Sequence, residues 1–177
     1  NIGNTYKNLG DYQKAVDYHL QALSLFEKLD SKRGQSFCLQ SLGNDFFEIK
    51  QFKNAQTFYL RSLQLKKELQ DRRGIITALI GLGDVNKEFK NYADSEKYYN
   101  NALQEAQEMK LLSDEARCYY QLSLLYQQMD EKEKSLATIV QGLKLARQSG
   151  DSTLSAKMNG NLLALKSEKE KESETEF

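Results

Sequence analysis

One histidine, two cysteines and a set of asparagines, lysines and arginines hold whatever reactive chemistry this chain of 177 residues possesses. His19 could serve as a base or a metal ligand only beside partners at workable spacing. No cluster of His, Cys and carboxylate has the spacing of a metal site. A Ser–His–Asp or Cys–His relay is equally implausible with a single histidine, and one that falls in an apolar column. Cys38 and Cys118 occupy the same position two repeats apart, by the 40-residue spacing described below. Helix layers of about 8–10 Å put them some 20 Å or more apart, beyond the limit of about 7 Å for a disulfide. Both read as small buried apolar residues, which leans towards a reducing compartment. Leu42-Gly43-Asn44-Asp45 and Leu82-Gly83-Asp84-Val85 contain glycine but lie within helices, and neither is a phosphate loop. Lys66-Lys67 and Arg72-Arg73 make a small basic spot, read as a solvated face rather than a nucleic-acid site. The expectation is a chain without catalysis, metal or cofactor.

Composition narrows the partners. Lysine plus arginine and aspartate plus glutamate number 25 each, so no net field draws the chain to nucleic acid or an anionic membrane. No apolar run approaches the roughly 18 residues of a membrane-crossing helix, and no signal peptide is expected. With an apolar fraction of 40% and a charged fraction of 28%, the chain suits an elongated object rich in surface. Proline is absent, so helices run without internal breakers. The chain opens within a repeat motif, which suggests a fragment cut inside a helix. Its expected location is the cytoplasm.

The elements that position these residues repeat every 40 positions. Ile2-Gly3-x-x-Tyr6 becomes Leu42-Gly43-x-x-Phe46, then Leu82-Gly83-x-x-Asn86 and Leu122-Ser123-x-x-Tyr126. Positions 23, 63, 103 and 143 are all leucine. Ala15, Ala55, Ser95 and Ser135 form a small column, and His19, Tyr59, Tyr99 and Ile139 a bulky one. Small residues let helix backbones approach, and bulky ones a turn away fill the groove. Each unit is therefore two amphipathic helices. Helices are expected at about 1–9, 11–29, 32–49, 51–69, 72–89, 91–110, 114–129, 131–148 and 152–172. Breaks fall at Gly10-Asp11, Lys50-Gln51, Lys90-Asn91 and Asp130-Glu131 within units. Between units they fall at Leu29-Asp30-Ser31, Gln70-Asp71, Leu112-Ser113 and Gly150-Asp151, with Asp71, Ser113 and Asp151 as N-caps.

Leu39, Leu42, Gly43 and Phe46 on one helix, followed by Ala55, Tyr59 and Ser62 on the next, resemble the tetratricopeptide repeat. The period of 40 exceeds the usual 34, and the common closing proline is replaced by Glu27, Lys67, Gln107 and Arg147. This long form is similar to the repeats of Pins-type adaptors, kinesin light chains and bacterial signalling proteins. HEAT or armadillo repeats share the period but lack the Leu-Gly-x-x-Tyr column. The resemblance implies an all-α, right-handed superhelical solenoid of antiparallel helix pairs. About four repeats span residues 1–149 (1–30, 31–70, 71–111 and 112–149), a capping helix spans 150–165, and a charged tail, either helical or disordered, spans 166–177.

The resemblance also implies a concave groove lined by the first helix of each unit. Its positions are Asn4 and Lys7; Phe37, Gln40, Asn44 and Phe47; Thr77, Ile80, Asp84 and Lys87; Arg117, Tyr120, Leu124 and Gln127. Phe37, Phe47, Ile80 and Tyr120 would be exposed apolar anchors. Asn4 and Asn44 would each donate and accept against a peptide backbone, in a ladder that fails at Asp84 and Leu124. A carboxylate clamp for chaperone tails is not expected, because Gln40 and Thr77 stand where it needs lysine. The expected function is a scaffold that binds a protein or peptide, with no nucleic acid and no membrane insertion. The alternative is a sensory or dimerising region of a bacterial signalling protein acting on its own output domain, and a homodimer belongs to that alternative.

Overall fold

The structure, a computed structural model, describes residues 2–175, and side chains through residue 167. Among the described residues the regular elements are α-helices: α1 (Ile2–Asn8), α2 (Tyr12–Lys28), α3 (Lys32–Glu48), α4 (Phe52–Glu68), α5 (Arg72–Glu88), α6 (Tyr92–Glu108), α7 (Leu112–Gln128), α8 (Lys132–Gln148) and α9 (Ser152–Thr175). From α2 to α8 every helix has 17 residues, with three residues between neighbours. The repeat is thus a doubled unit of helix and turn, and the fold is an all-α solenoid.

One turn is used throughout. The third-last residue of each helix accepts from the amide two positions past the cap, as in Ser31 N–H to Phe26 O (2.9 Å) and Gln51 N–H to Phe46 O (2.8 Å). The residue between sits in the left-handed region: Asp30, Lys50, Gln70, Lys90, Lys110 and Asp130 have φ of 50–61°, alongside Gly10 and Gly150. Glycine adopts this conformation without strain, and the other six pay for a Cβ there.

Capping side chains start several helices. Asp71 accepts from Gly74 N–H, and Asp151 from Leu154 N–H, both at 2.9 Å. Asp11 and Ser31 do the same for Lys14 and Gly34. The break expected at Leu112-Ser113 lies earlier, because the turn closes at Lys110. Leu111 is the N-cap and makes no side-chain bond, while the Ser113 hydroxyl donates to Asp151 Oδ2 (3.1 Å). The charged end continues α9 to Thr175, and residues 176–177 lie outside the described residues.

The chain divides into two compact units, Asn1–Tyr98 and Tyr99–Phe177. In the first, each helix from α1 to α4 packs on its successor, and α3 also meets α5. Its core gathers Val16, Leu23, Cys38, Leu39 and Leu42, with Phe26, Phe46 and Phe58 against them. The Leu-Gly motif explains the close approach: a Cβ on Gly43 would stand 2.4 Å from the Tyr59 ring, and one on Gly81 2.7 Å from it. Tyr59 is wedged between two glycine-lined helices. In the second unit α7 packs on α8 and α8 on α9. Met158 and Leu165 of α9 join Ala116, Ile139, Leu143 and Ala146 in its core.

Candidate functional site: a polar track in the first unit

The groove asparagines and the bulky column are bonded to each other. Asn4 Oδ1 lies 3.2 Å from His19 Nε2. One repeat on, Tyr59 OH donates to Asn44 Oδ1 at 2.9 Å. Gln40 Nε2 also donates to Asn44 Oδ1 (3.4 Å). This corrects the expectation that Asn44 both donates to and accepts from a ligand backbone. Its oxygen is spent within the fold, and its Nδ2 hydrogens remain to donate outwards.

The track continues through a residue that the sequence placed on a solvated face. Lys67 is exposed, but Lys66 retains only 4% of its surface. Its Nζ donates to Gln40 Oε1 (2.5 Å) and to Thr77 Oγ1 (3.1 Å). Thr77 in turn donates to Gly74 O (2.7 Å). Burial pulls the Lys66 pKa down to about 8, against a smaller upward pull from the Asp71 charge. Ser62 adds a bond to Ser36 O (3.3 Å). The result is a chain from Thr77 through Lys66, Gln40 and Asn44 to Tyr59, tying α3, α4 and α5 together. Beside it opens a cleft of about 640 Å³, lined by Arg33, Phe37, Gln40, Lys66, Asp71 and Thr77 among others.

The expected apolar anchors separate. Phe37 is 48% exposed at the cleft. The Phe47 ring is half-buried and packs 5.3 Å from Phe52, which meets Phe89 edge-on. Ile80 is not an exposed anchor. It is 7% exposed, because α5 is buried all round from Ala78 to Gly83. Asp84 and Lys87 lie 3.5 Å apart, and Lys87 is 9% exposed. Lys7 is half-buried in the last turn of α1. In the second unit Tyr120 is likewise no free anchor, since its ring packs on the Ala116–Ile139 core cluster. Arg117 donates to Asp114 Oδ1 at 2.9 Å. Leu124 and Gln127 are half-buried.

The candidate chemical residues are enclosed. His19 is fully buried, as its column implies, with Nδ1 2.6 Å from Asp45 Oδ2. Cys38 and Cys118 are buried and free. Burial raises both thiol pKa values, that of Cys118 to about 12, which disfavours the reactive thiolate. Among the described residues no three His, Cys, Asp or Glu gather as a metal site, and no helix is long and apolar enough to cross a membrane.

Two residues of this network were missed in the sequence, and each leaves a signal there. Lys66 interrupts a column of Phe26, Ala106 and Ala146. Asp45 interrupts one of Thr5, Val85 and Leu125. A charged residue in an otherwise uncharged column marks a local purpose.

Models described as tetratricopeptide repeat match residues 1–68 and 116–149, together more than half of the chain. No curated protein matches the sequence significantly. Among solved structures, aspartyl phosphate phosphatase F from Bacillus subtilis is similar in fold, with a TM-score of 0.82 at 14% identity, over 89% of this chain and 42% of that one. A Rap protein complexed with competence and sporulation factor gives 0.76 at 16% identity, over 93% and 52%. The Rap conjugation gene regulator of plasmid pLS20, in complex with the Phr* peptide, gives 0.74 at 18%, over 89% and 43%. At these identities the likeness is one of fold. The chain spans about half or less of the length of these proteins.

Proposed function

The chain belongs to the tetratricopeptide repeat family, and from that premise we propose that it is a non-catalytic interaction module that holds a peptide or helix of a partner protein. The binding surface is the first-helix face, with Phe37, Gln40, Asn44 and Thr77 at its centre. Asn4, Lys7, Phe47, Asp84 and Lys87 extend it within the first unit. Arg117, Leu124 and Gln127 present a second polar and apolar surface in the second unit. Ile80 is buried within the first unit, and Tyr120 packs on the core of the second. The observation that carries this reading is the cleft beside the polar track. Its donors and acceptors are held by hydrogen bonds before any ligand arrives, and a half-exposed phenylalanine lies at its edge. Preorganised groups of this kind lower the ordering cost of binding.

The test is capture of a partner with the full chain, followed by the Phe37→Ala, Asn44→Ala double variant. Affinity should fall at least tenfold while the helical circular dichroism persists. An equally tight complex would remove the groove from the mechanism.

A second reading draws on two structural neighbours whose names describe a phosphatase and a gene regulator. The chain would then be the sensing part of a larger signalling protein, either pairing with a second copy or resting on its own output domain. Light scattering separates the two readings. A stable dimer in which Phe37 is protected from hydrogen exchange favours the second, and a monomer that binds peptide favours the first.

A further inference from the structure

Lys66 is out of place by the logic of the repeat. At the equivalent position the other repeats carry Phe26, which packs on the core, and Ala106 and Ala146, which are fully buried. A lysine in such a column must bring its ammonium into a site with little water. Buried ammonium groups are normally paired with a carboxylate. Here the Nζ contacts are both neutral, Gln40 Oε1 and Thr77 Oγ1. Among the described residues no carboxylate forms an ion pair with Lys66. An ammonium carries three N–H donors, and two are used.

The surroundings add to the positive field. The cleft lies at the N-terminal ends of α3 and α5, through Arg33, Ser36 and Gly74. The neutral Ser31 caps α3, whose first turn holds no acidic residue to offset its dipole, while the Asp71 carboxylate caps α5. Gly74 makes room for the lysine stem, since a Cβ there would lie 3.0 Å from Lys66 Cδ. Arg33 faces the cleft from α3, and Asp71 from the turn before α5.

We propose that this cleft binds the carboxylate of a peptide ligand, seated against Lys66 Nζ and reached by Arg33, with the neighbouring apolar side chain against Phe37 and Leu69. This deepens the groove reading and rests on it. The lysine lies in the second helix of its pair, in a core column, and so outside the clamp positions that Gln40 and Thr77 occupy. One buried ammonium matches one negative charge. With Asp71 in the same wall, a doubly charged phosphate is repelled more strongly than a singly charged carboxylate. Desolvation, which holds the free ammonium near pKa 8, is offset by the opposite charge once a carboxylate is bound. The ligand therefore binds best to the protonated amine.

The experiment titrates the full, isotope-labelled chain with three probes and follows the amide resonances of Gly74 and Thr77. The probes are N-acetyl-leucine, N-acetyl-leucine amide and inorganic phosphate, each up to 50 mM. The free acid should give saturable shifts. The amide should bind at least tenfold more weakly, and so should phosphate. Affinity for the acid should fall at least fivefold from pH 7 to pH 9.5 as Lys66 loses its proton. Lys66→Met should abolish the shifts while keeping its melting transition, because an apolar side chain suits that column. Lys66→Arg should keep part of the binding. Equal binding of acid and amide, binding of phosphate alone, retention of binding in Lys66→Met, or no shift at 50 mM would each overturn the carboxylate assignment. If that assignment fails but a captured partner still depends on Phe37 and Asn44, the groove reading survives. If the partner ignores those residues as well, both fall.

Discussion

The two units of this chain bury different chemistry at the same repeat positions. In the first unit His19, Asp45, Ser62 and Lys66 lie in the interior. Their equivalents in the second unit are Ile139, Leu125, Gly142 and Ala146, and these too are buried. The clefts follow suit. The cleft beside Lys66 measures about 640 Å³. Its counterpart, lined by Ser113, Asp114, Arg117, Asp151 and Leu154, measures about 170 Å³. Leu154 stands where the first unit has Gly74, and Tyr120 packs on the core where the first unit has Gln40. Of the two cations of the second cleft, Arg117 and Lys157, Arg117 is already bonded to Asp114, whereas the hydrogen-bond partners of Lys66 are neutral. One scaffold therefore offers a small notch whose charges balance in one place and a larger cleft, with Arg33 and Lys66 against Asp71, in another. Apolar packing suffices for the fold, so the polar interior of the first unit is tied to something other than stability.

Breaking the buried polar pair should have the largest effect. His19→Ala leaves Asp45 buried without its partner and should cost about 3–5 kcal/mol by urea unfolding. Importing the residues of the second unit, His19→Ile with Asp45→Leu, should recover most of that loss, because a well-packed apolar pair often replaces a buried polar one without penalty.

Gly74→Leu copies Leu154 into the first cleft. The new side chain meets Asp71 and the Lys66 stem. A loss of about 1–3 kcal/mol from overpacking is expected, together with loss of N-acetyl-leucine binding.

Lys66 gives the first unit a pH dependence of stability that the second lacks at that position. Its pKa is lowered in the folded chain, from the ordinary 10.5 to about 8. The folded state therefore releases this proton before the unfolded chain does. Stability from this group is flat below about pH 7 and rises between about pH 8 and 10.5, by roughly 1–3 kcal/mol. Urea midpoints of Lys66→Met should lack that rise, and a parallel rise in the variant would assign it elsewhere.

The smallest effect concerns the turns. The second unit closes α8 with Gly150, while the first closes α3 with Lys50 in the same left-handed conformation. Lys50→Gly should raise stability by about 0.5–1 kcal/mol, seen as a higher melting temperature. Gly150→Lys should lower it by a similar amount.

The helices were legible because small and bulky columns recur at a fixed spacing, and tertiary packing obeys that spacing. Boundaries agreed to within two or three residues. The break at Leu112-Ser113 was displaced because serine looked like a cap, while the turn is fixed by the backbone bonds around Lys110. The site was harder to read. Groove positions carried over from the family pattern located Phe37, Gln40, Asn44 and Thr77, which do lie together. Exposure could not be carried over in the same way. Ile80 falls on a helix enclosed on all sides, and Tyr120 leans onto Ala146 and its neighbours. Lys66 was misread because two adjacent lysines suggest a wet surface. Only the column of Phe26, Ala106 and Ala146 betrays that one of them points inward. The bonds of Asn4 to His19 and of Asn44 to Tyr59 join the same two columns in successive repeats, but one sequence does not say which columns touch.

The claim that matters most is that the charged cleft of the first unit, and not its neutralised counterpart, reads the partner. The most direct measurement is the affinity of a captured peptide partner, by fluorescence anisotropy at pH 7, for the unaltered chain, Lys66→Met and Arg117→Ala. The expected result is a loss of tenfold or more for Lys66→Met, with its melting temperature kept or raised, and a change below threefold for Arg117→Ala. Unchanged affinity in Lys66→Met, or a larger loss in Arg117→Ala, would contradict it.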